Sequence, residues 1–404
     1  IKQAEGKALG IRVWRGEQTG VTHTSDLAWP AVSSMLDAAL AMAESTSADA
    51  AARLPPPGEL GQVPGDLALY DPAALATTPE EALELALRAE RASLDADPRL
   101  RNSNGAGFEA GESTKILVNS HGFAGQVQRS SCSLSAAPIA EQDGAMQRDW
   151  WYSVARSPAG LESPEDVGRT AAARTLRRLG ARQASTGRVP VVFDPRTARS
   201  LLGHLLEAVS GESIYREASF LTGALGREVA SAALTLVDDG TVPGALGSAP
   251  FDAEGVPTRR TVILSGGTLQ SYLLNSYAAH KLSLVSTGNA ARALAGAPGV
   301  SCGNLTLLAG GTAPDQILAG VSQGLYVTEL IGFGVNLVSG DYSRGASGLW
   351  IENGELTYPV EEITIAGNLK DMLRNITAIG NDLEYRGAVN APTLRVDGMT
   401  VAGR

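Results

Sequence analysis

His204 and Glu207 lie three positions apart in a stretch that has the apolar spacing of a helix. At 100° per residue the two share one side of that helix, while its leucines cluster on the other side. Imidazole nitrogens and carboxylate oxygens both bind zinc, so the pair could contribute to a metal site. Such a pair on a polar helix face is more often a surface hydrogen bond, which is the interpretation we favour. Spacing alone therefore predicts no catalytic residue and no metal site, and it leaves these two as the metal candidates.

A second stretch, residues 332–348, combines five glycines with few charged side chains. Glycine lets another backbone approach closely, and strands beside it can hydrogen-bond an added extended chain. We predict that this stretch lines a peptide cleft or a subunit interface, with Asp341 and Arg344 paired or facing the ligand and Gly345 beside them. The alternative is a system of tight turns inside a β-rich core. The sequence leaves both interpretations open.

The elements that follow the glycines are predicted by strong local signals. Asn353-Gly354 lies between two β-favouring runs and predicts a hairpin. A separate strand is expected after Pro359, and Asn368 is expected to cap a helix that ends at Gly380. These signals indicate a β-rich C-terminal region that includes one short helix.

The whole chain of 404 residues is expected to form two domains of the α+β class. The first, residues 1–186, mixes helices with an antiparallel sheet that is expected to begin at Lys115. The second, residues 187–404, is β-rich. A segment rich in Pro and Gly at residues 54–66 indicates a loop or crossover. Because the chain opens at Ile1, we expect a leading segment to be missing.

The composition disfavours several classes of protein. A net charge of −10 repels phosphate backbones, so no direct nucleic-acid binding is expected. The two cysteines cannot form a disulfide framework or a CxxC site, which is typical of a protein of the reducing cytoplasm. No run of about 18 apolar residues is present, so no membrane-spanning helix is expected. A cytoplasmic protein is therefore predicted.

Several segments resemble one known family closely. They read GAMQRDWWYS at 144–153, GSAPFDAEGVPTR at 247–259, TGNA at 287–290, GLYVTELIGFGVN at 324–336, VSGDYSRGASG at 338–348 and PVEEITIAGNLKDMLRNI at 359–376. Through these segments the chain resembles the PmbA/TldE branch of the TldD/PmbA family, also called peptidase U62 and "modulator of DNA gyrase". In that family two related proteins, TldD and TldE (PmbA), form an intracellular zinc metallopeptidase. The resemblance implies a C-terminal domain of the TldD/PmbA type and a role in proteolysis.

The resemblance also implies where zinc ligands would lie. The catalytic TldD subunit carries an HExxxH motif on a helix that matches residues 198–212 here. This match sets Leu206 against the first histidine, Glu207 against the glutamate and Gly211 against the second histidine. The third ligand of the family, a cysteine, would fall within residues 388–392, which read Ala-Val-Asn-Ala-Pro. Zinc hydrolysis needs about three protein ligands and an open position for water, so no cofactor is expected in this chain.

Two functions remain compatible with these features. In the first, the chain is the non-catalytic partner of a TldD-like subunit that holds the zinc, and the pair cleaves small or unfolded peptides. In the second, the chain acts alone as a peptide-binding or scaffold protein, for example as a homodimer without hydrolytic activity. A TldD-like protein with an intact HExxxH motif that co-purifies with this chain would distinguish the first from the second.

Overall fold

The computed structural model describes all residues from Ile1 to Arg404 and confirms the α+β class. The helices are α1 (Trp29–Ser45), α2 (Ala73–Ala76), α3 (Pro79–Leu94), α4 (Pro164–Leu176), α5 (Pro195–Val209), α6 (Gly211–Tyr215), α7 (Ser276–Leu282), α8 (Pro314–Ala319) and α9 (Leu369–Arg374). The strands of the first half are β1 (Leu9–Arg15), β2 (Gln18–Thr24), β3 (Leu100–Val118), β4 (Ala124–Gln142), β5 (Ala145–Arg148) and β6 (Trp151–Ala155). Those that follow are β7 (Gly187–Phe193), β8 (Leu236–Asp239), β9 (Arg260–Ser265), β10 (Thr268–Leu269), β11 (Ala290–Ala291), β12 (Gly299–Val300), β13 (Leu305–Leu307), β14 (Gln323–Ile331), β15 (Asp341–Glu352), β16 (Glu355–Asn368), β17 (Ile376–Ile379), β18 (Val389–Asn390) and β19 (Leu394–Ala402).

The largest sheet of the N-terminal half is antiparallel and is covered by α3 and α4, while β1 and β2 form a separate two-stranded sheet that packs on α1. The two longest strands of the largest sheet, β3 and β4, form a hairpin, and β5 and β6 pair with β4. The sequence-based start of this sheet at Lys115 is wrong, because β3 begins at Leu100. Most residues of β3 are exposed on both faces, so its sequence lacks the apolar alternation that marks a half-buried strand.

The C-terminal half contains two larger sheets. The six-stranded sheet has the order β16-β15-β14-β7-β19-β17, and β16 also pairs with β19, which closes the sheet on itself. The five-stranded sheet has the order β10-β9-β8-β13-β18. Between them lies the main hydrophobic core, a cluster of 43 buried residues that includes the apolar face of α5. The largest cluster in the first half has only six, so most of the burial energy belongs to the C-terminal half.

Two expected element boundaries in this region are wrong. No separate strand starts after Pro359, because β16 runs through that proline from Glu355 to Asn368. At Pro359 the strand has β15 on one side, and its pairing with β19 is confined to Thr364–Ala366, so the missing N–H breaks no ladder bond. Asn368 does cap α9, but this helix ends at Arg374, because the residues after it pair with β19 as β17.

The segment between the two halves is held by backbone hydrogen bonds. The amide of Arg182 donates to the carbonyl oxygen of Pro359 (3.1 Å), and that of Thr186 donates to the carbonyl oxygen of Arg404 (3.0 Å). β7 begins directly afterwards at Gly187. The domain boundary near residue 186 stays a prediction, which limited proteolysis can check. No helix of this chain combines the length and the apolar character that a membrane crossing would need.

Candidate functional site

α5 is the element on which the candidate site is built, and it contacts strands of both large sheets. Asp194 caps it as expected, since Asp194 Oδ1 accepts the backbone N–H of Thr197 at 2.8 Å. Leu201, Leu202 and Leu205 are buried at 1% exposure, which anchors one side of the helix in the core. The next side of the helix faces β15 and carries the polar residues of interest.

His204 does not lie on a solvated helix face. Its ring packs edge-on against the ring of Tyr342 on β15, with the ring centroids 6.0 Å apart. Burial lowers the pKa of His204, and the nearby guanidinium of Arg344 lowers it further. Glu207 is exposed, and no hydrogen bond joins it to His204. The expected surface hydrogen bond between the two is therefore wrong.

Arg344 points inward, although it belongs to the stretch that we expected to line a cleft. Side chains alternate along β15, which directs Tyr342 and Arg344 toward α5 and Asp341 toward the other face. Arg344 is 8% exposed, and its Nη1 donates to Ser200 Oγ at 2.7 Å. Asp341 is exposed and accepts from Ser339 Oγ at 2.6 Å. The expected pairing of Asp341 with Arg344 is therefore wrong, because three positions along a strand place them on opposite faces.

Three buried polar atoms in this region have no hydrogen-bond partner within the protein. They are Nε2 of His204, the hydroxyl oxygen of Tyr342 and Nε of Arg344. Burial raises the pKa of Tyr342 to about 12, so its hydroxyl stays protonated. We call Ser200, His204, Tyr342 and Arg344 the α5 cluster. Buried polar groups normally find partners, so this cluster has the chemistry to hold ordered water or a polar ligand group.

The residues at the family's zinc positions do not fit a zinc ion. Leu206 packs against the main core. A Cβ added at Gly211 would lie 2.6 Å from the Cβ of Ala278 and 2.6 Å from Cδ2 of Leu274, so no histidine side chain has room there. The guanidinium of Arg344 next to His204 would also repel a cation. No group of three or more His, Cys, Asp or Glu side chains is arranged to hold a metal ion.

The glycine-rich segment between β14 and β15 is an ordered turn with an apolar surface. The amide of Ser343 donates to the carbonyl oxygen of Gly334 at 2.7 Å, and the amide of Gly340 donates to that of Asn336 at 2.8 Å. Three apolar side chains nevertheless face solvent, Ile331 at 57% exposure, Phe333 at 95% and Val338 at 60%. We call residues 331–338 the glycine loop. Gly345 lies outside it within β15, where an added Cβ would lie 3.3 Å from that of Ile331.

Comparison with known proteins agrees with this architecture. The family model of the PmbA/TldA metallopeptidase C-terminal domain matches residues 186–403, and that of the central domain matches residues 73–179. The chain belongs to the PmbA/TldD family. It is 42% identical over 397 residues to Metalloprotease PmbA of Escherichia coli O157:H7, which covers 98% of this chain and 86% of that protein.

Further relatives within the PmbA/TldD family separate its two kinds of protein. The chain is 40% identical over 398 residues to the Metalloprotease PmbA homolog of Haemophilus influenzae, covering 98% of this chain and 86% of that one. It is only 27% identical over 434 residues to the Metalloprotease TldD homolog of the same strain, covering 98% and 87%. A solved structure from Bacteroides thetaiotaomicron, named as a modulator of DNA gyrase, superposes with a TM-score of 0.92 at 28% identity, covering 100% of this chain and 90% of that one.

Sequence reasoning missed a polar pocket that two of the family's segments build together. The segments are GSAPFDAEGVPTR at 247–259 and TGNA at 287–290. Both line a cavity of about 330 Å³ that lies against the β3–β4 hairpin, and Asp238 at the end of β8 lies in its wall. We call this cavity the hairpin pocket. The resemblance of these two segments to the family was visible in the sequence. Their residue spacing matches no ligand-binding motif, so no chemistry was assigned to them from the sequence.

Proposed function

We propose that this chain is the non-catalytic, PmbA/TldE-type subunit of a metallopeptidase. A TldD-like partner would hold the zinc, and the two chains together would cleave small or unfolded peptides in the cytoplasm. The branch is supported by the higher identity to the proteins named PmbA than to the TldD homolog of Haemophilus influenzae. The occurrence of both names in one Haemophilus influenzae strain supports the existence of such a partner.

The observation that carries the proposal is the packing at Gly211. A missing ligand can be restored by one substitution where the backbone leaves room for it. Here Ala278 and Leu274 occupy the space of the side chain, and the amide of Gly211 donates to the carbonyl oxygen of Leu273 at 2.8 Å. The loss of the ligand position is therefore part of how α6 and α7 pack, and it supports a chain specialised for a role other than metal binding.

The glycine loop is the surface that we assign to the contact with the partner. Phe333 is 95% exposed on a segment whose backbone is held by its own hydrogen bonds. A rigid apolar surface of this kind loses little entropy when it is covered, which is the property of a good interface. The loop is also linked to the region beside α5, since the amide of Phe220 donates to the carbonyl oxygen of Leu337 at 2.7 Å. A partner on this loop would thus lie near the α5 cluster.

Co-expression with a TldD-like protein tests the proposal. We expect the two chains to co-purify, with zinc held by the TldD-like partner and both zinc and peptide cleavage lost when the partner's HExxxH histidines are replaced. The chain purified by itself should retain no stoichiometric zinc after dialysis. A stable homodimer that binds peptides but does not bind the TldD-like protein would instead support the stand-alone scaffold function. Near-unit zinc in the isolated chain, lost in His204→Ala, would overturn the non-catalytic assignment.

A further inference from the structure

The hairpin pocket contains more cationic groups than its own carboxylates neutralise. Lys115 and Arg129 enter from the β3–β4 hairpin, and Arg259 and Arg292 enter from the C-terminal half. Nε of Arg129 and Nη2 of Arg292 are buried without any hydrogen-bond partner. Burial lowers the pKa of Arg129, and no nearby carboxylate offsets this effect. Burial also lowers the pKa of Arg292, where the charge of nearby Glu254 offsets part of the effect. A buried guanidinium with a free N–H is costly unless an anionic group satisfies it.

The carboxylates of the pocket differ in their availability. Asp252 is fully used by the backbone, since it accepts from the amides of Glu254 (2.8 Å), Val256 (3.1 Å) and Ala290 (2.9 Å). Asp238 is not. It is 1% exposed, and its Oδ2 accepts from Asn289 Nδ2 at 2.7 Å. The backbone N–H of Gly303 lies close enough to lower its pKa, but Oδ1 has no partner in hydrogen-bond geometry. The pocket wall therefore offers one free, fully buried hydrogen-bond acceptor.

The other polar contacts of the pocket hold its groups in place. Nη2 of Arg129 donates to the carbonyl oxygen of Ser248 at 2.9 Å. Nε of Arg292 donates to the carbonyl oxygen of Gly296 at 3.0 Å, and Asn289 also donates to that of Ser301 at 3.0 Å. The unpartnered atoms are thus presented by side chains whose other atoms are already fixed. Such preorganisation is typical of a binding site, because little further ordering is needed on binding.

We propose that the hairpin pocket binds a carboxylate that carries an N–H donor on its α-carbon, as in a free amino acid or the C-terminal residue of a peptide. The carboxylate lies between Arg129 and Arg292, and the nitrogen donates to Oδ1 of Asp238. A fully ionised phosphate ester fits less well, because it has no hydrogen-bond donor and would face the buried carboxylate of Asp238. Inorganic phosphate keeps an O–H at neutral pH, so it is the competing ligand in the test. The cavity volume of about 330 Å³ matches a ligand of one or two residues. The site is separate from the α5 cluster, and binding to it requires no partner subunit.

Calorimetric titration of the full chain tests this inference. The probes are N-acetyl-alanyl-alanine, its C-terminal carboxamide, free alanine and inorganic phosphate. We expect saturable binding of N-acetyl-alanyl-alanine and at least tenfold weaker binding of the carboxamide. Free alanine separates the two sources of the ligand, because equal or tighter binding of alanine identifies a free amino acid and weaker binding identifies a peptide C-terminus.

Substitutions then assign the binding to the pocket. Arg129→Gln and Arg292→Gln should each weaken binding at least tenfold, and Asp238→Asn should weaken it several-fold. Lys115→Gln is the variant least able to disturb folding, because Lys115 is exposed on β3 and makes no hydrogen bond, and it should weaken binding about threefold. The matched control is Arg101→Gln, an exposed arginine of the same strand that lies roughly 45 Å from Lys115 at about 3.3 Å per residue. It should leave binding unchanged.

Three results would overturn the inference. The first is an absence of saturable binding by both carboxylate probes at millimolar concentration. The second is equal binding of the carboxylate and the carboxamide. The third is tighter binding of phosphate that shows the same dependence on Arg129 and Arg292. These results leave the proposed subunit function untouched, since that function is tested by co-purification and zinc content.

Discussion

Arg344 of β15 reaches across to α5 and donates from Nη1 to Ser200 Oγ at 2.7 Å. This contact connects two predicted site regions. One is the stretch 332–348, which was expected to face a ligand, and the other is α5, which matches the family's zinc-binding helix. It also places a permanent positive charge beside His204, whose pKa is lowered by burial and by this arginine. The one histidine on α5 therefore lies beside a charge that opposes a metal cation.

The His204 titration should report this arrangement directly. Because the charge of Arg344 lowers the pKa of His204, Arg344→Gln should raise that pKa toward its ordinary value. NMR titration of the imidazole resonances measures the shift, and the other three histidines serve as internal references. Ser200→Ala is the control, since it removes the hydrogen-bond acceptor but keeps the charge. An unchanged His204 pKa in Arg344→Gln would show that the two side chains do not interact in solution.

Two glycines of the same region should respond in opposite ways to alanine. Gly203 lies inside α5 with open space around its Cβ position, so Gly203→Ala should stabilise the chain by about 0.5–1 kcal/mol through helix propensity. Gly211→Ala should destabilise it by about 1–3 kcal/mol, because the added Cβ meets Ala278 and Leu274.

Urea unfolding of the two variants measures both effects. The same collision predicts that Leu206→His combined with Gly211→His lowers stability and still binds no zinc. A folded double variant with stoichiometric zinc would refute the packing argument on which the proposed function rests.

Asp238 should make stability depend on pH. Burial raises its pKa to about 6 from an ordinary value of 3.8, with a smaller contribution from the charge of Asp239, and hydrogen bonds from Asn289 and the backbone of Gly303 offset only part of this. A raised native pKa means that the folded chain binds the proton more tightly, so this contribution is full below pH 3.8 and is lost as pH rises through 6. The difference corresponds to about 3 kcal/mol.

Melting curves of the native chain and of Asp238→Asn, recorded between pH 4 and pH 7, measure this effect. Asp238→Asn cannot ionise, so its stability relative to the native chain should increase across that range. Asp239, Asn289, Cys302 and the backbone of Gly303 face the same carboxylate and are kept unchanged. Asp143→Asn, in an exposed turn, is the control and should show no such trend. A constant difference between Asp238→Asn and the native chain would contradict the raised pKa.

Phe333→Asp should separate folding from assembly. The side chain is 95% exposed, so its replacement should leave the melting temperature of the isolated chain unchanged. A charge at the centre of an apolar contact should reduce co-purification with a TldD-like subunit at least tenfold. Val285→Asp, at 65% exposure in another loop, is the matched control. Undiminished co-purification of Phe333→Asp would remove the glycine loop from the interface.

A buried ion network should make an unusually large contribution where the two halves meet. Arg174 contacts Asp149 at 3.3 Å and Asp194 at 3.0 Å, and Arg196 contacts Asp149 at 3.0 Å. Burial opposes ionisation of Asp149, but Arg196 and Arg174 outweigh it, and the pKa of Asp149 is lowered. Asp149→Ala should therefore cost about 3–5 kcal/mol of unfolding free energy, because it leaves the buried Arg196 without a carboxylate partner and Arg174 with Asp194 alone.

An exposed pair provides the comparison. Glu84 and Arg91 lie at 2.7 Å with more than half of each side chain exposed, so Glu84→Ala should cost at most about 1 kcal/mol. Chemical denaturation of both variants measures the difference. Equal losses would mean that the network between the halves contributes no more than a surface pair.

The sequence by itself determined the features that depend on near neighbours. Asp194 and Asn368 are identifiable as helix caps from the sequence, and both accept backbone N–H groups within three residues. Asn353 is likewise predicted in a hairpin turn, and it adopts the positive φ of 51° that such a turn requires. The sequence also shows directly that positions 206 and 211 are leucine and glycine, because the identity of a residue does not depend on the fold.

The tertiary structure alone decided which of these residues meet. His204 is packed by Tyr342, a residue 138 positions later, so helix periodicity could not show that the polar side of α5 is covered. The hairpin pocket joins Arg129 to Arg292 across even more of the chain. Local hydrogen bonds are specified by residues within one turn, whereas contacts of this kind follow from how sheets and helices pack. For that reason the helix caps followed from the sequence, but the α5 cluster and the hairpin pocket did not.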